Sequence, residues 1–77
     1  MSTSLSDVVL HIDETLPSDQ VKTLENHIHK MGGVVSACNC DDTPHLISIV
    51  FNPEHVKSHD ILVKVRSEGI HAQLVGL

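Results

Sequence analysis

The sequence predicts one α+β domain in which two helices cover one face of a four-stranded antiparallel sheet. Two observations lead to this prediction. Apolar residues recur with a period of two in four short segments, and with the helical period in two longer ones. The segments follow one another in the order β-α-β-β-α-β. That order is the split βαβ pattern of a ferredoxin-like sandwich, and right-handed crossovers then place the strands in the order 4-1-3-2.

Four segments have the alternation of a strand and are bounded by turn-forming residues. The predicted strands are residues 5–12, 34–40, 46–52 and 70–75. In the first, Val8, Leu10 and Ile12 share the face that meets the helices. Residues 41–45, DDTPH, combine Asp and Pro in a way that predicts a turn between the second and third strands.

Two segments have the apolar stripe of an amphipathic helix. The first is predicted to begin at Ser18 as N-cap and to end at the glycine pair 32–33, and the second to begin at Ser58 and to end at Gly69. The stripes that should face the sheet are Val21, Leu24, Ile28 and Met31 in the first helix, and Ile61, Leu62 and Val65 in the second.

Composition narrows the function classes. The 77 residues make a single domain, 1–77, with residues 1–4 expected to be flexible. A net charge of −5 and a single aromatic residue argue against nucleic-acid binding. The N-terminus has no secretory pattern and no apolar run reaches the roughly 20 residues of a membrane span, so we expect a cytoplasmic protein without membrane insertion. The sequence has no Gly-rich phosphate loop, no Ser/His/Asp constellation with a recognisable spacing and no paired acids in a pocket-forming context, so we expect a protein that is not an enzyme.

Three segments resemble the heavy-metal-associated domain, which is the module of copper chaperones and of the N-terminal arms of metal-pumping ATPases. They are Met31-Gly32-Gly33-Val34, Ile49-Val50-Phe51-Asn52-Pro53 and Glu68-Gly69-Ile70-His71-Ala72-Gln73-Leu74-Val75. The resemblance runs along nearly the whole chain. It implies the ferredoxin-like fold and a Met-x-Cys-x-x-Cys loop between the first strand and the first helix, where two thiolates bind a soft ion such as Cu(I).

The loop of this chain departs from that pattern. Counting back from Leu24 and Gly33, the methionine position falls on Thr15 and the two cysteine positions on Pro17 and Gln20. Proline has no ligand atom in its side chain, and glutamine offers only a neutral amide. The resemblance therefore predicts the fold but not Cu(I) transfer through this loop, which we expect to have only a structural role.

Other metal ligands are available on the helix-free face. Strand parity places His11 and His71 there as cross-strand neighbours, and it sends Cys38 and Cys40 to the same face if Ala37 points inward. His45, in the turn, lies at the same edge of the sheet. We predict Cys38, Cys40, His11 and His71 as the metal-ligating residues. A mixed Cys/His set suits zinc best, with nickel or copper as alternatives.

Two distances limit this site. Cysteines two apart on a strand lie about 6.8 Å apart, so Cys38 and Cys40 are poorly placed for an intrachain disulfide. The third strand separates Cys38 from His11 by roughly two strand spacings, or about 9–10 Å. We therefore expect two half-sites that are completed across a homodimer, rather than one tetrahedral site within a chain.

Two other interpretations remain open. Val9, Leu46, Val50 and Val75, together with the two cysteines, predict an apolar patch on the open face, which is typical of a metal-free protein-interaction or dimerisation module. In that case the cysteines are ordinary small side chains. The seven histidines also allow a protonation sensor, whose charge changes near neutral pH.

Overall fold

The computed structural model describes residues 4–39 and 43–75, and its elements follow the predicted order. They are β1 (Ser6–Ile12), α1 (Ser18–His29), β2 (Val34–Asn39), β3 (Leu46–Phe51), α2 (Ser58–Ser67) and β4 (Ala72–Val75). The sheet order is β2-β3-β1-β4, which is the predicted order counted from the other edge, and every neighbouring pair is antiparallel. The predicted fold class is confirmed.

One apolar core lies between the sheet and the two helices. Helix α1 packs over β2 and α2 over β4, so both helices cover the same face. The most deeply buried side chains come from both helices and the two central strands: Val8, Leu10, Ile12, Leu24, Ile28, Ile47, Ile49, Ile61 and Val65. Met31 packs against this core at its margin. The predicted apolar stripes are therefore confirmed, and no polar side chain is buried among the described residues.

The predicted N-caps of both helices were wrong by one residue. Pro17 is the N-cap of α1, with an extended backbone (φ −59°, ψ 152°), and Ser18 is the first helical residue. A proline held near φ −65° already has the entry geometry, so no side-chain cap forms there. Lys57 precedes α2, and its N–H donates to Oδ2 of Asp60 at 3.1 Å. The carboxylate at the third helical position thus satisfies the backbone donor of the N-cap residue, as in a capping box.

The glycines that were predicted to end the two helices have different roles. Gly69 follows the C-cap of α2 with φ +81° and ends that helix as predicted. Helix α1 instead ends at His29, before the glycine pair. Gly33 has φ +95° and forms the entry to β2 rather than a cap, and its carbonyl accepts the Asn52 N–H at 2.7 Å. This contact ties the start of β2 to the end of β3.

Strand β2 contains an irregularity that the sequence pattern did not predict. Val34 pairs with Phe51 and Ser36 with Val50, so Val35 is an extra residue and its side chain is 52% exposed. After the bulge the parity recovers. Ala37 packs against the core and Cys38 is exposed, as predicted.

Candidate functional site

Several potential metal-binding side chains lie together where β1 ends and where β3 and β4 begin. We call this region the loop end, and it comprises residues 11–17, 43–46 and 70–72. It holds three of the seven histidines and two carboxylates: His11, His45, His71, Asp13 and Glu14. All five side chains are exposed or half-buried. Imidazole and carboxylate groups at one edge of a sheet are a potential ligand set for a borderline metal ion.

The loop between β1 and α1 presents no soft ligand in the described structure. Thr15, Pro17 and Gln20 are exposed, whereas Leu16 packs against the core and anchors the loop. The N–H groups of Gln20 and Val21 both donate to the Pro17 carbonyl at 3.0 Å, which forms the first turn of α1. These contacts give the loop a structural role that requires no bound ion.

Glu14 fastens this loop to the segment before β4. Its Oε1 accepts the His71 backbone N–H at 2.7 Å, and its Oε2 accepts from Nδ1 of the same residue at 2.9 Å. The hydrogen bond from the His71 ring, followed by that from its backbone N–H, lowers the pKa of Glu14. The same side-chain bond and the charge of Glu14 raise the pKa of His71. Glu14 and His71 are therefore both charged over a mildly acidic range of pH.

The structure corrects the predicted contact between His11 and His71. His11 lies opposite Gln73 in the β1–β4 ladder, while the His71 carbonyl accepts the N–H of Asp13 at 2.8 Å. His71 is therefore two residues away from the position directly opposite His11, and it precedes β4 because that strand begins only at Ala72. The two histidines share an edge of the sheet but are diagonal rather than direct neighbours.

His45 is the imidazole that lies beside His11. The two rings stack with their centroids 6.0 Å apart and an angle of 19° between their planes. The His45 carbonyl accepts the Ile12 N–H at 2.8 Å, and its ring Nδ1 bonds the Ile12 carbonyl at 2.9 Å. Its side chain thus occupies the place of a backbone donor at the end of the β1–β3 ladder. The sequence placed His45 at this edge but did not identify it as the partner of His11.

The cysteines lie on a different part of the sheet. Cys38 is exposed and pairs with Ser48 of β3, which in turn pairs with Val9 of β1. One strand therefore separates Cys38 from the strand that carries His11, as expected from the order of the strands. Cys40 lies outside the described residues, as do Asp41 and Asp42 of the predicted turn. Within residues 4–39 and 43–75, no three His, Cys, Asp or Glu side chains come close enough together to hold a metal ion.

The helix-free face is less apolar than the sequence pattern predicted. Val9, Leu46 and Val50 are half-buried, and Val75 at the edge is 43% exposed. Polar side chains interrupt them on every strand. These are Asp7 and His11 on β1, Ser36 on β2, Ser48 on β3 and Gln73 on β4. The described part of this face is therefore a mixed surface rather than a continuous apolar patch.

Two acidic residues of the loop end were not singled out from the sequence. Asp13 Oδ1 lies 3.1 Å from Nδ1 of His11, and Glu14 binds His71. The Asp13 contact spans two residues, and the x-His-x-Asp spacing at a strand end could have indicated it. Glu14 and His71 are 57 positions apart, so no local spacing connects them. Only the register of β1 against β4 brings them together.

No family model and no curated protein matches this sequence. Solved structures do match its fold. A copper-binding domain from HMA7, a P-type ATPase, has a TM-score of 0.81 and 18% identity, over 91% of this chain and 93% of that one. Oxidized MerP from Ralstonia metallidurans CH34 has a TM-score of 0.83 and 15% identity, over 95% of this chain and all of that one. The N-terminal domain of a potential copper-translocating P-type ATPase from Bacillus subtilis, solved in the Cu(I)-loaded state, has a TM-score of 0.82 and 19% identity, over 95% and 90%.

These similarities concern the fold, because fewer than one residue in five is identical. This chain folds as those domains do over nearly its full length. No helix among its described residues has the length and apolarity needed to cross a membrane. Its two cysteines occupy positions 38 and 40, so the chain contains no Cys-x-x-Cys motif.

Proposed function

We propose that this chain is a metal-handling domain of the heavy-metal-associated type whose ligands lie outside the loop between β1 and α1. The ion is a borderline divalent metal, with zinc first and nickel or copper next. The ligands are Cys38 and Cys40 together with His11 or His71. The domain binds rather than catalyses, and it acts in the cytoplasm.

One observation carries this proposal. The chain has the fold of domains described as copper-binding, and the imidazoles of His11, His45 and His71 gather at the end of the sheet where the loop lies. Imidazole with thiolate is a ligand set for zinc, nickel or copper. Because β3 separates Cys38 from the strand that carries His11, the proposal has the site completed by a second copy or by a protein partner.

Zinc competition against a chromophoric chelator under reducing conditions tests the proposal. The wild-type chain should take up zinc stoichiometrically, and Cys38→Ser/Cys40→Ser should lower its affinity at least roughly tenfold, since even an outer partner of a ligand contributes that much. His29→Gln is the matched control, because His29 is exposed at the end of α1, away from the loop end. A wild-type chain that binds no zinc, nickel or copper would refute the metal-handling function.

Exposed Val35 and Val75 favour one other candidate, a metal-free interaction module that works through the open face. Analytical ultracentrifugation with and without a chelator separates the two candidates. Metal handling predicts an association that the chelator abolishes, whereas the interaction module predicts a dimer that the chelator leaves intact. Association that changes between pH 5 and 8 without metal would instead indicate a protonation sensor.

A further inference from the structure

The stacked pair His11–His45 has the features of a metal half-site. We infer that these two imidazoles bind a borderline divalent ion such as zinc through their Nε2 atoms, and that His45, not His71, is the partner of His11 in this site. The inference rests on the proposed function and names the imidazole ligands of the site.

The hydrogen bonds fix which nitrogen each ring presents. A backbone carbonyl only accepts, so Nδ1 of His45, 2.9 Å from the Ile12 oxygen, carries the proton. The same argument applies to Nδ1 of His11, which lies 3.1 Å from the carboxylate of Asp13. In both neutral rings Nε2 then keeps its lone pair. A ligating histidine usually donates its other N–H to a carboxylate or a backbone carbonyl, and both rings have that arrangement.

One ring of the pair is held and the other is free to adjust. His45 is fixed at two points, by its backbone carbonyl and its ring, both bonded to Ile12. The side chain of His11 is 38% exposed and bonded only to Asp13. Two nitrogens on one tetrahedral zinc lie about 3.3 Å apart, given Zn–N bonds of about 2.0 Å. Zinc binding by the pair therefore requires the exposed His11 side chain to rotate so that its Nε2 approaches that of His45.

His71 lacks this relation to His11. Its ring is bonded to Glu14, and its backbone lies opposite Asp13 rather than opposite His11. Asp13 and Glu14 place two carboxylates at the same end of a chain whose net charge is −5, which favours the approach of a cation. Two imidazoles leave positions around the ion open for water or for ligands from another molecule.

Zinc titration of a Cys38→Ser/Cys40→Ser background isolates this site from the thiols. The variants are His11→Gln and His45→Gln. In His45→Gln, the glutamine side chain retains an N–H donor for the Ile12 carbonyl. His71→Gln discriminates between the two possible partners of His11, and the control is His27→Gln, because Nδ1 of His27 also contacts a carboxylate, that of Glu68 at 2.8 Å. Imidazole ¹⁵N NMR reads which Nε2 atoms shift when zinc is added, and it also verifies that each variant is folded.

The inference predicts zinc-dependent Nε2 shifts for His11 and His45 alone. Each of the two substitutions should weaken zinc binding by at least about tenfold, His27→Gln by less than about twofold, and His71→Gln by less than either His11→Gln or His45→Gln. Zinc binding that survives His45→Gln, or that is lost in His71→Gln, overturns this pairing while leaving the proposed function intact. A wild-type chain that binds no divalent ion overturns both.

Discussion

The two ends of the sheet differ in what they contribute. The glycine end, residues 32–34 and 51–57, is closed by tight contacts: a Cβ at Gly33 would lie 2.8 Å from the Cβ of His55 and 2.9 Å from Cγ1 of Val56. The loop end instead has three imidazoles and two carboxylates, and each of these side chains is exposed or half-buried. The glycine end contributes contacts that specify the fold, and the loop end contributes side chains that could bind a metal ion. The fold can therefore persist when the ligands of the loop change.

Restoring thiols at the loop end should produce the largest effect. Pro17→Cys/Gln20→Cys, made in the Cys38→Ser/Cys40→Ser background, places two thiols beside the N-terminus of α1, where the helix dipole favours thiolate. We expect Cu(I) affinity to rise by more than roughly 100-fold, the upper loss caused by altering a ligand's outer partner. Competition with a Cu(I) chelator measures this change.

Pro17→Ser/Gln20→Ser is the control for that experiment, because it makes the same exchange without sulfur. It should leave Cu(I) affinity unchanged. Since both positions are exposed, both double variants should remain folded. If the thiol variant folds but gains no Cu(I) affinity, residues 17 and 20 do not correspond to the cysteine positions of the heavy-metal-associated loop.

A methyl group at the glycine end should cost the most stability. Gly33→Ala combines a left-handed backbone with two contacts under 3.0 Å, so we expect a loss of about 2–4 kcal/mol in the free energy of unfolding. Gly69→Ala has the positive φ but open space and should lose about 1 kcal/mol. Gly32→Ala meets neither obstacle, and urea denaturation should show no loss. Equal losses in all three variants would contradict the close approach at Gly33.

Sequence periodicity was sufficient to predict the elements of the fold. Val8, Leu10 and Ile12 alternate, and Leu24 and Ile28 recur one turn apart, so burial patterns alone identify the strand and the helix. These signals are local and repeated, and the strand order followed when right-handed crossovers were applied to the β-α-β-β-α-β order of the elements. The bulge at Val35 was not predictable in this way, since an extra residue does not change the residue types around it.

The candidate site was less predictable because it depends on register. His71 was expected as a cross-strand neighbour of His11, but the register pairs His11 with Gln73, so His71 lies two residues away. His45 became the neighbour of His11 because its ring replaces a backbone donor, which no spacing indicates. Glu14 was missed because its partner lies 57 residues along the chain. The residue types at the edge were predictable, but their contacts were not.

Loss of the turn contacts at Asn39 should have a smaller effect than Gly33→Ala. Its Nδ2 lies 2.8 Å from the Leu46 carbonyl and 3.2 and 3.3 Å from those of Pro44 and Thr43, so its two hydrogens serve two of these at a time. Asn39→Ala should lower the free energy of unfolding by about 1–2 kcal/mol. Urea denaturation measures this, with exposed Asn26→Ala on α1 as the control. A change below that of the control would show that the turn is held by other contacts.

The His71–Glu14 pair should have the smallest effect, and one confined to a pH range. The raised pKa of His71 stabilises the fold below its ordinary value of 6.5, and this contribution disappears as pH rises through the folded pKa. The lowered pKa of Glu14 stabilises the fold above 4.5, and this contribution disappears as pH falls through the folded pKa. His71→Gln should therefore destabilise the metal-free protein most between pH 4.5 and 6.5.

Thermal unfolding of wild-type and His71→Gln protein at pH 5.5 and pH 8 measures this dependence. Because both side chains are exposed, the difference should be small, but it should be larger at pH 5.5. The matched control is His29→Gln, which changes an exposed histidine at the end of α1. A larger difference at pH 8 would contradict the assigned ion pair.

The central claim is that metal chemistry in this chain lies outside residues 13–20, on histidines and cysteines of the open face and its edge. Native mass spectrometry of the untagged chain with Zn(II), Ni(II), Cu(II) and, under reducing conditions, Cu(I) tests it most directly, because one spectrum reads stoichiometry and oligomeric state. The account predicts a zinc adduct that accompanies a dimer and is weakened in Cys38→Ser/Cys40→Ser. A metal-free spectrum with every ion would contradict it.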